Sequence, residues 1–197
     1  MNALVPVRTV APTAELLSLA GAKAHLRVEG DDEDGDIEAL VADVAGLLDG
    51  YSGILGQALL TQTWAQSFDR FPYRGELRLP LGPLGDTVTI AYFDAAGAVQ
   101  AFTGFHAVSD AIGPLIILPD GASWPATAKR PDAVTVTWTC GHASSDAPNF
   151  PPNVIRAVKL LITHWYENRG PVNIGNITSD LSWSLDQLIS PHRKVGL

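Results

Sequence analysis

The sequence predicts an α+β fold in which a small helical bundle carries a β-sandwich-like insert. Two observations predict it. Apolar residues recur about every 3.6 positions towards both ends of the chain, whereas in the middle the apolar period falls to two. The expected helical core therefore comprises residues 1–59 and 141–197, and the β-rich insert comprises residues 60–140.

The helical periodicity predicts four helices, near residues 14–26, 34–55, 152–169 and 182–189. The second has the clearest apolar stripe, which continues to Leu55. Thr13 is a suitable N-cap for the first helix, because its hydroxyl can accept a backbone N–H. Gly170 and Pro171 end the third, since a left-handed glycine followed by proline cannot continue a helix.

Strand candidates in the insert alternate apolar with polar residues. In DAVTVTWT (residues 132–139) valines and a tryptophan alternate with threonines, as expected of a half-buried strand. TVTIAYF (87–93) and AVQAF (98–102) flank the turn sequence DAAG, a pattern typical of a hairpin. Residues 1–12 are expected to form an extended arm.

Composition limits the function classes. With 21 acidic against 13 basic residues, the net charge of −8 opposes phosphate binding as a primary activity. The single cysteine, Cys140, cannot form an intramolecular disulfide and suits a reducing compartment. No segment approaches the roughly 20 apolar residues of a membrane span. We expect a folded, unexported protein without a cofactor.

The acidic run DDEDGD (residues 31–36) suggests a calcium loop, because Ca²⁺ prefers oxygen ligands. With Gly35 at the sixth loop position, however, Gly30 occupies the first and Val41 the twelfth, so two necessary carboxylates are missing. The alternative is favoured: these acids lie at the N-terminus of the second helix, where negative charge is stabilised by the helix dipole.

No catalytic motif is complete. Gly50-Tyr51-Ser52-Gly53-Ile54 lacks the last glycine of a nucleophile elbow. Cys140 and His142 are close in sequence, but no third group is present to orient them. His164 has no carboxylate or second histidine three or four positions away. We expect no enzymatic activity and no metal site, although these residues remain the only catalytic candidates.

The stretch VIRAVKLLITHWYENRG (residues 154–170) is interpreted as a packing helix. Trp165 and Tyr166 combine a large apolar area with one polar atom, as buried or interfacial aromatic residues do. Glu167 and Arg169 lie on the solvated face or contact a neighbour. We therefore predict that these four residues belong to a subunit interface.

Six stretches carry a family resemblance: GILGQALLTQTW (53–64), FDRFP (68–72), LRLPLGPL (77–84), VTVTWTCGH (134–142), PPNVIRAVKLLITHWYENRGPV (151–172) and LDQLISPHRKVGL (185–197). In this order they resemble the head–tail connector, or adaptor, proteins of long-tailed bacteriophages, prophages and gene transfer agents. The strongest match combines the last two stretches. The resemblance extends over about residues 14–197.

The resemblance implies a structural virion protein of the subgroup with a β-rich insert, assembled in the bacterial cytoplasm. Such a protein forms a ring, usually of twelve copies, below the portal, where it joins the capsid to the tail. Its implied partners are the portal protein, a stopper or tail-completion protein, and other copies of itself. A net negative chain would let DNA pass without specific binding, because few cations are available to displace phosphate counterions.

The resemblance also implies a function for the C-terminal tail. Its residues are predicted to bind the portal or a neighbouring subunit: Ser190, Pro191, His192, Arg193, Lys194, Val195, Gly196 and Leu197. His192 replaces an aromatic residue often found there in the family. A second hypothesis remains open, in which the chain is another particle component, for tail completion or decoration, that binds through the β insert.

Overall fold

The computed structural model describes residues 1–73, 75–110, 112–168 and 178–194, and of residues 178–182 only the backbone. Within these residues the chain has four α-helices and two antiparallel sheets, which confirms the predicted α+β class. No helix in the described ranges is long and apolar enough to cross a membrane.

The helices are α1 (Leu19–Leu26), α2 (Asp34–Leu48), α3 (Pro152–Glu167) and α4 (Thr178–Ile189). The strands are β1 (Val7–Val10), β2 (Gln62–Phe68), β3 (Leu77–Arg78), β4 (Leu84–Phe93), β5 (Val99–Phe102), β6 (His106–Ser109), β7 (Pro114–Ile117) and β8 (Val134–Cys140). The order along the chain is therefore one strand, two helices, seven strands and two helices.

Helix α1 begins at Leu19 rather than near the predicted Thr13. Ser18 is the N-cap, and its Oγ accepts a hydrogen bond from the backbone N–H of Gly21 at 3.2 Å. Leu16 precedes this cap yet is buried in the helical core. The apolar residues before Ser18 therefore pack without being helical.

Helix α2 ends at Leu48, although the apolar spacing continues to Leu55. Asp49 is extended and Gly50 has a φ of 82°, so the chain leaves the helix there. The backbone N–H of Leu55 then donates to the Leu48 carbonyl at 3.3 Å, which folds the turn back onto the helix. Leu55 is buried in the same core as α2, which explains why its spacing resembled helical periodicity.

The helical core lies mainly between α2 and α3. The expected buried stripe of α3 comprises Val154, Val158, Leu161, Ile162 and Trp165. The first four are buried, whereas Trp165 is only half-buried. The four buried residues pack in one cluster with residues of α2, namely Ile37, Val41, Val44 and Leu48. Ile189, at the end of α4, is buried in this cluster as well.

The two sheets enclose a second core. One sheet has the strand order β1-β2-β8-β4-β5 and the other β3-β7-β6. In β2 and β8 alternate residues are buried, and Trp64 lies directly opposite Trp138. Leu77 and Ile116, from the smaller sheet, are buried in the same cluster.

The extended arm joins the larger sheet. Val7 of β1 lies opposite Ala65 of β2 in an antiparallel pair, and the Leu4 N–H donates to the Ser67 carbonyl at 2.8 Å. Strand β1 thus belongs spatially with the β-rich insert, although it precedes the helices in sequence. The division of the chain at residues 60 and 140 stays a prediction.

Gly141 lies where the backbone after β8 closely approaches the backbone of Leu60, and this contact leads to a stability prediction. Its φ is 104°, and a Cβ there would lie 2.1 Å from the Leu60 carbonyl oxygen. We expect Gly141→Ala to lower the free energy of unfolding by more than about 3 kcal/mol, because both the backbone and Leu60 must shift. Chemical denaturation measures the change.

Gly97→Ala is the matched control. Gly97 also has a positive φ, of 84°, but no atom lies within 4 Å of a Cβ there. Gly97→Ala should lower the free energy of unfolding by only about 1–2 kcal/mol, which is the cost of a left-handed conformation for alanine. Equal losses from the two substitutions would contradict the proposed steric conflict at Leu60.

Candidate functional site

A buried polar junction connects the helical core with the larger sheet. Asp49 follows α2, and its side chain is only 10% exposed. Its Oδ1 accepts the backbone N–H of Leu59 at 2.7 Å, and Gln62 Nε2 donates to Oδ1 and Oδ2 at 2.9 and 3.0 Å. Since Gln62 begins β2, this carboxylate fixes the end of a helix to the start of a strand.

The junction extends to two further strand residues. Gln62 Oε1 accepts a hydrogen bond from Trp64 Nε1 at 3.0 Å, and Arg8 Nη1 of β1 lies 3.5 Å from Asp49 Oδ2. Asp49, Gln62 and Trp64 are thus connected by hydrogen bonds at the boundary of the two cores, and Arg8 partly neutralises the carboxylate. We call Arg8, Asp49, Gln62 and Trp64 the junction network.

Sequence reasoning did not find Asp49. An acid at the end of a helix is unfavourable for the helix dipole, and Asp-Gly is a turn sequence. These were the available signals, and together they indicate a helix end whose carboxylate needs compensation. The partners Arg8 and Gln62 are distant in sequence, so the network itself could not be identified.

A cleft of about 680 Å³ opens beside the junction network. It lies between the segment before α1, one face of α2 and the turn after it, and it is lined in part by Glu15, Glu38, Val41, Ala45 and Tyr51. No group of three or more potential metal ligands exists in the described ranges. The cleft therefore contains charged and apolar surface without a recognisable reaction centre.

The predicted placement of the acidic run agrees with the structure. Asp34 and Asp36 lie in the first turn of α2, as the helix-dipole interpretation requires. Lys23 of α1 forms an ion pair with Asp34. The acids thus stabilise the helix start and the packing of α1 beside it.

Cys140 is fully buried at the end of β8. Burial raises the pKa of its thiol to about 12, and the negative charge of Asp49 contributes to the rise. The thiol is consequently protonated at neutral pH, which is the opposite of what a nucleophilic cysteine needs.

The two histidine candidates have no catalytic partners in the described residues. The Nδ1 atom of His142 is buried without a hydrogen-bond partner, and its ring lies edge-on to Phe150 with centroids 5.2 Å apart. His164 Nδ1 lies 3.4 Å from the side-chain amide of Asn168. No carboxylate of a described residue orients either histidine, as general-base catalysis usually requires.

The predicted interface residues of α3 have different surroundings. Trp165 and Tyr166 are half-buried against the helical core, and the Tyr166 hydroxyl donates to Glu33 Oε2 at 2.5 Å. Glu167 is exposed. Arg169 lies outside the described residues. Much of the aromatic area is thus used within the chain, and the interface assignment stays a prediction.

The C-terminal tail leaves the core at a defined point. Ile189 is 1% exposed, and Ser190–His192 form a 3₁₀ turn directly after it. The Lys194 N–H then donates to the Leu55 carbonyl at 2.8 Å. Pro191 and Arg193 are exposed, whereas Val195, Gly196 and Leu197 lie outside the described residues.

Comparison with known proteins identifies relatives of the fold. No protein-family model and no curated protein matches the sequence. A chain in the neck of an empty gene transfer agent particle, solved with C6 symmetry, is 23% identical with a TM-score of 0.73, and the match covers 98% of this chain and 97% of that one.

Two further structures match with the same identity and coverage. One is the neck of a native gene transfer agent particle with C12 symmetry, at a TM-score of 0.70. The other is the virion of a native gene transfer agent particle, at 0.71. Helical and β parts are therefore shared as one fold over nearly the whole length of each chain.

The junction network predicts a large effect of Asp49→Ala. The substitution leaves the Leu59 N–H and the Gln62 amide without their acceptor, and we expect a loss of about 2–4 kcal/mol in the free energy of unfolding. Asp43→Ala is the control, because Asp43 is an exposed acid within α2 and should change stability by less than about 0.5 kcal/mol. Similar losses from both would contradict the network.

The raised pKa of Cys140 predicts slow thiol modification and a loss of stability at alkaline pH. The thiolate fraction at pH 8 should be roughly a thousandfold smaller in the folded chain than in the unfolded one, so iodoacetamide should label Cys140 only after denaturant is added.

The raised pKa of the Cys140 thiol determines how the free energy of unfolding changes with pH. Both states hold the thiol protonated below pH 9, but between pH 9 and 12 only the unfolded state ionises. The free energy of unfolding should fall over that range, and Cys140→Ala should reduce the fall. Rapid labelling of the native chain would contradict this description of the thiol.

Proposed function

We propose that the chain is a structural head–tail connector, or adaptor, subunit that forms a ring below a portal, joins a capsid to a tail and lets DNA pass. The observation that carries the proposal is the shared fold, at a TM-score of 0.73 over 98% of this chain, with a chain of a gene transfer agent neck. The ordered sequence motifs support it independently.

A ring of twelve copies is part of the proposal. One of the matching neck structures has C12 symmetry, which agrees with the copy number that the family resemblance implies. The partners are a portal protein on one side and a stopper or tail-completion protein on the other. Assembly takes place in the bacterial cytoplasm, and the finished protein belongs to the virion or virion-like particle.

The charge of the chain supports passage of DNA without specific binding. A net charge of −8 provides little of the phosphate neutralisation on which nucleic-acid affinity depends. A conduit that held DNA tightly would impede its movement. An acidic subunit is therefore suited to surround DNA that must move.

A structural rather than catalytic function fits the candidate residues. The Cys140 thiol is protonated because burial raises its pKa, and His164 contacts an amide instead of a carboxylate. We therefore assign no reaction to this chain.

The tail is the proposed attachment segment for the portal. Its first residue follows buried Ile189, and the Lys194 N–H is bonded to Leu55, so the segment leaves the body of the protein from a fixed position. Pro191 and Arg193 are exposed there. A fixed origin lowers the conformational entropy that the attachment segment loses when it binds a partner.

The proposal predicts a ring of this chain beneath the portal in cryo-electron microscopy of particles that contain it. Arg193→Glu should reduce the number of tail-bearing particles roughly tenfold, because it replaces one of the two cations of the attachment segment by an anion while leaving the core intact. Counting tailed and tailless particles in micrographs measures the change.

Arg70→Glu is the matched control, since Arg70 is 64% exposed on the β-rich part and should leave tail attachment unchanged. Density for the chain at another position in the particle would overturn the connector function. A ring at the neck together with normal attachment of the Arg193→Glu variant would overturn the role of the tail alone.

A further inference from the structure

The larger sheet has two different free edges. Its order is β1-β2-β8-β4-β5, so β1 and β5 each pair with only one strand. Every pairing in the sheet is antiparallel. Four antiparallel steps separate β1 from β5, and the two edge strands therefore run in the same direction.

The β5 edge lacks the usual protection against pairing with another chain. Its sequence, Val99-Gln100-Ala101-Phe102, contains no charged residue and no proline. Val99 is 65% exposed, and the next two residues are exposed as well. Edge strands of isolated proteins commonly carry a charge, a proline or a bulge that prevents such pairing.

The β1 edge carries one charge, Arg8, and a register shift between Arg8 and Val10, but the residues around Val7 are mostly apolar. Val7 is 62% exposed, and other large apolar side chains are exposed around it, namely Met1, Leu4, Val5 and Val10. An extended apolar segment of this size on a surface commonly marks a contact with another protein.

Successive side chains on the two edge strands alternate between the faces of the sheet in the same order. The inner face of the larger sheet is the one that covers the second core, and the outer face is the opposite one. Val7 lies opposite Ala65 and Val99 opposite Phe93, which places both valines on the outer face. Arg8 lies opposite Trp64, a core residue, and therefore on the inner face. Gln100 lies opposite Tyr92, again on the inner face. A pairing that puts Val7 beside Val99 also puts Arg8 beside Gln100.

The two edges are also complementary in charge. Residues 1–12 contain the cation Arg8 and no acid, whereas residues 94–102 contain the anion Asp94 and no base. Gln100 Nε2 donates to Asp94 Oδ2 at 3.0 Å, so this carboxylate lies beside the β5 residue that would face Arg8. The Arg8 guanidinium stays 3.5 Å from Asp49 of its own chain, so the attraction between the edges is one of net charge and not a direct ion pair. Among the described residues no cation forms an ion pair with Asp94, and its carboxylate accepts only hydrogen bonds.

We infer that β1 of one copy pairs in parallel with β5 of the next copy, so that the larger sheets of neighbouring subunits form one continuous sheet. The inference rests on the proposed ring. Rotation about a ring axis that runs along the strands preserves strand direction, and it brings unlike surfaces together in a head-to-tail contact. The parallel relation of β1 and β5 meets both requirements.

The size of this contact explains when it forms. Stable interfaces bury about 1,200–2,000 Å² in total, which a pair of four-residue strands does not reach. Edge pairing is therefore expected in the assembled ring, where other subunit contacts act together with it, and at high protein concentration. It does not produce a tight dimer in dilute solution.

Disulfide cross-linking in the full chain tests the pairing. Neighbouring strands lie about 4.8 Å apart, which is within the range of Cα separations that a disulfide spans. In particles that carry the Val7→Cys/Val99→Cys double variant, mild oxidation should give a ladder of cross-linked multimers on non-reducing gels. The buried native Cys140 should not take part.

Three variants serve as controls. The single variants Val7→Cys and Val99→Cys should give no ladder, because a head-to-tail contact places unlike residues together. Val7→Cys/Val108→Cys should give none either, since Val108 is an exposed valine on β6 of the smaller sheet. Circular dichroism checks that each variant is folded, as expected for exposed positions.

The outcomes separate this inference from the proposed function. A ring of the chain at the neck without the ladder overturns the edge pairing and leaves the connector function intact. Dimers of the single Val99→Cys variant also overturn it, because they indicate a two-fold contact between identical edges. If the chain is absent from the neck, the connector function fails. The edge pairing is then tested by oxidising the pure double variant at high concentration. A ladder in that experiment supports the pairing, and the absence of a ladder overturns it.

Discussion

A single buried carboxylate determines how the helical core meets the sheets. Asp49 accepts hydrogen bonds from the backbone of Leu59 and from the amide of Gln62, and it lies beside the guanidinium of Arg8. A charge with so little solvent exposure is tolerated only when its oxygens are bonded. The turn between α2 and β2 must therefore take the one path that brings these donors together. The positions of the arm, the turn and the first sheet strand all follow from that requirement.

Much of the fold could be predicted because apolar residues recur regularly along several of its helices and strands. The stripe Val154, Val158, Leu161 and Ile162 specifies one buried helix face, and the alternation around Trp138 specifies a strand with one buried face. Helix ends were predicted less well. Leu16 and Leu55 are buried core residues with helical spacing, but each lies outside a helix. Spacing alone does not distinguish a helix from a turn that packs against one.

The candidate site shows a different limit of sequence reasoning. Local patterns argued against chemistry at Cys140, and its burial supplies the physical reason, a raised thiol pKa. The junction network depends on the meeting of residues that lie more than 40 positions apart, as Arg8 and Asp49 do. The same is true of the tail, whose last described residue lies against Leu55. Such contacts are created by the tertiary fold and leave no periodic signal in the sequence.

The two ends of α2 differ in the charge of the side chains around them. Its 15 residues extend about 22 Å, from the acids Asp34 and Asp36 to the end where Arg8, Arg193 and Lys194 are located. At the first end the acids outnumber Lys23, the cation paired with Asp34. At the second end the three cations outnumber the acids Asp49 and Asp186. A body with this charge separation experiences a torque in any external field. A strongly charged surface would therefore orient the protein before contact, and added salt would weaken that orientation.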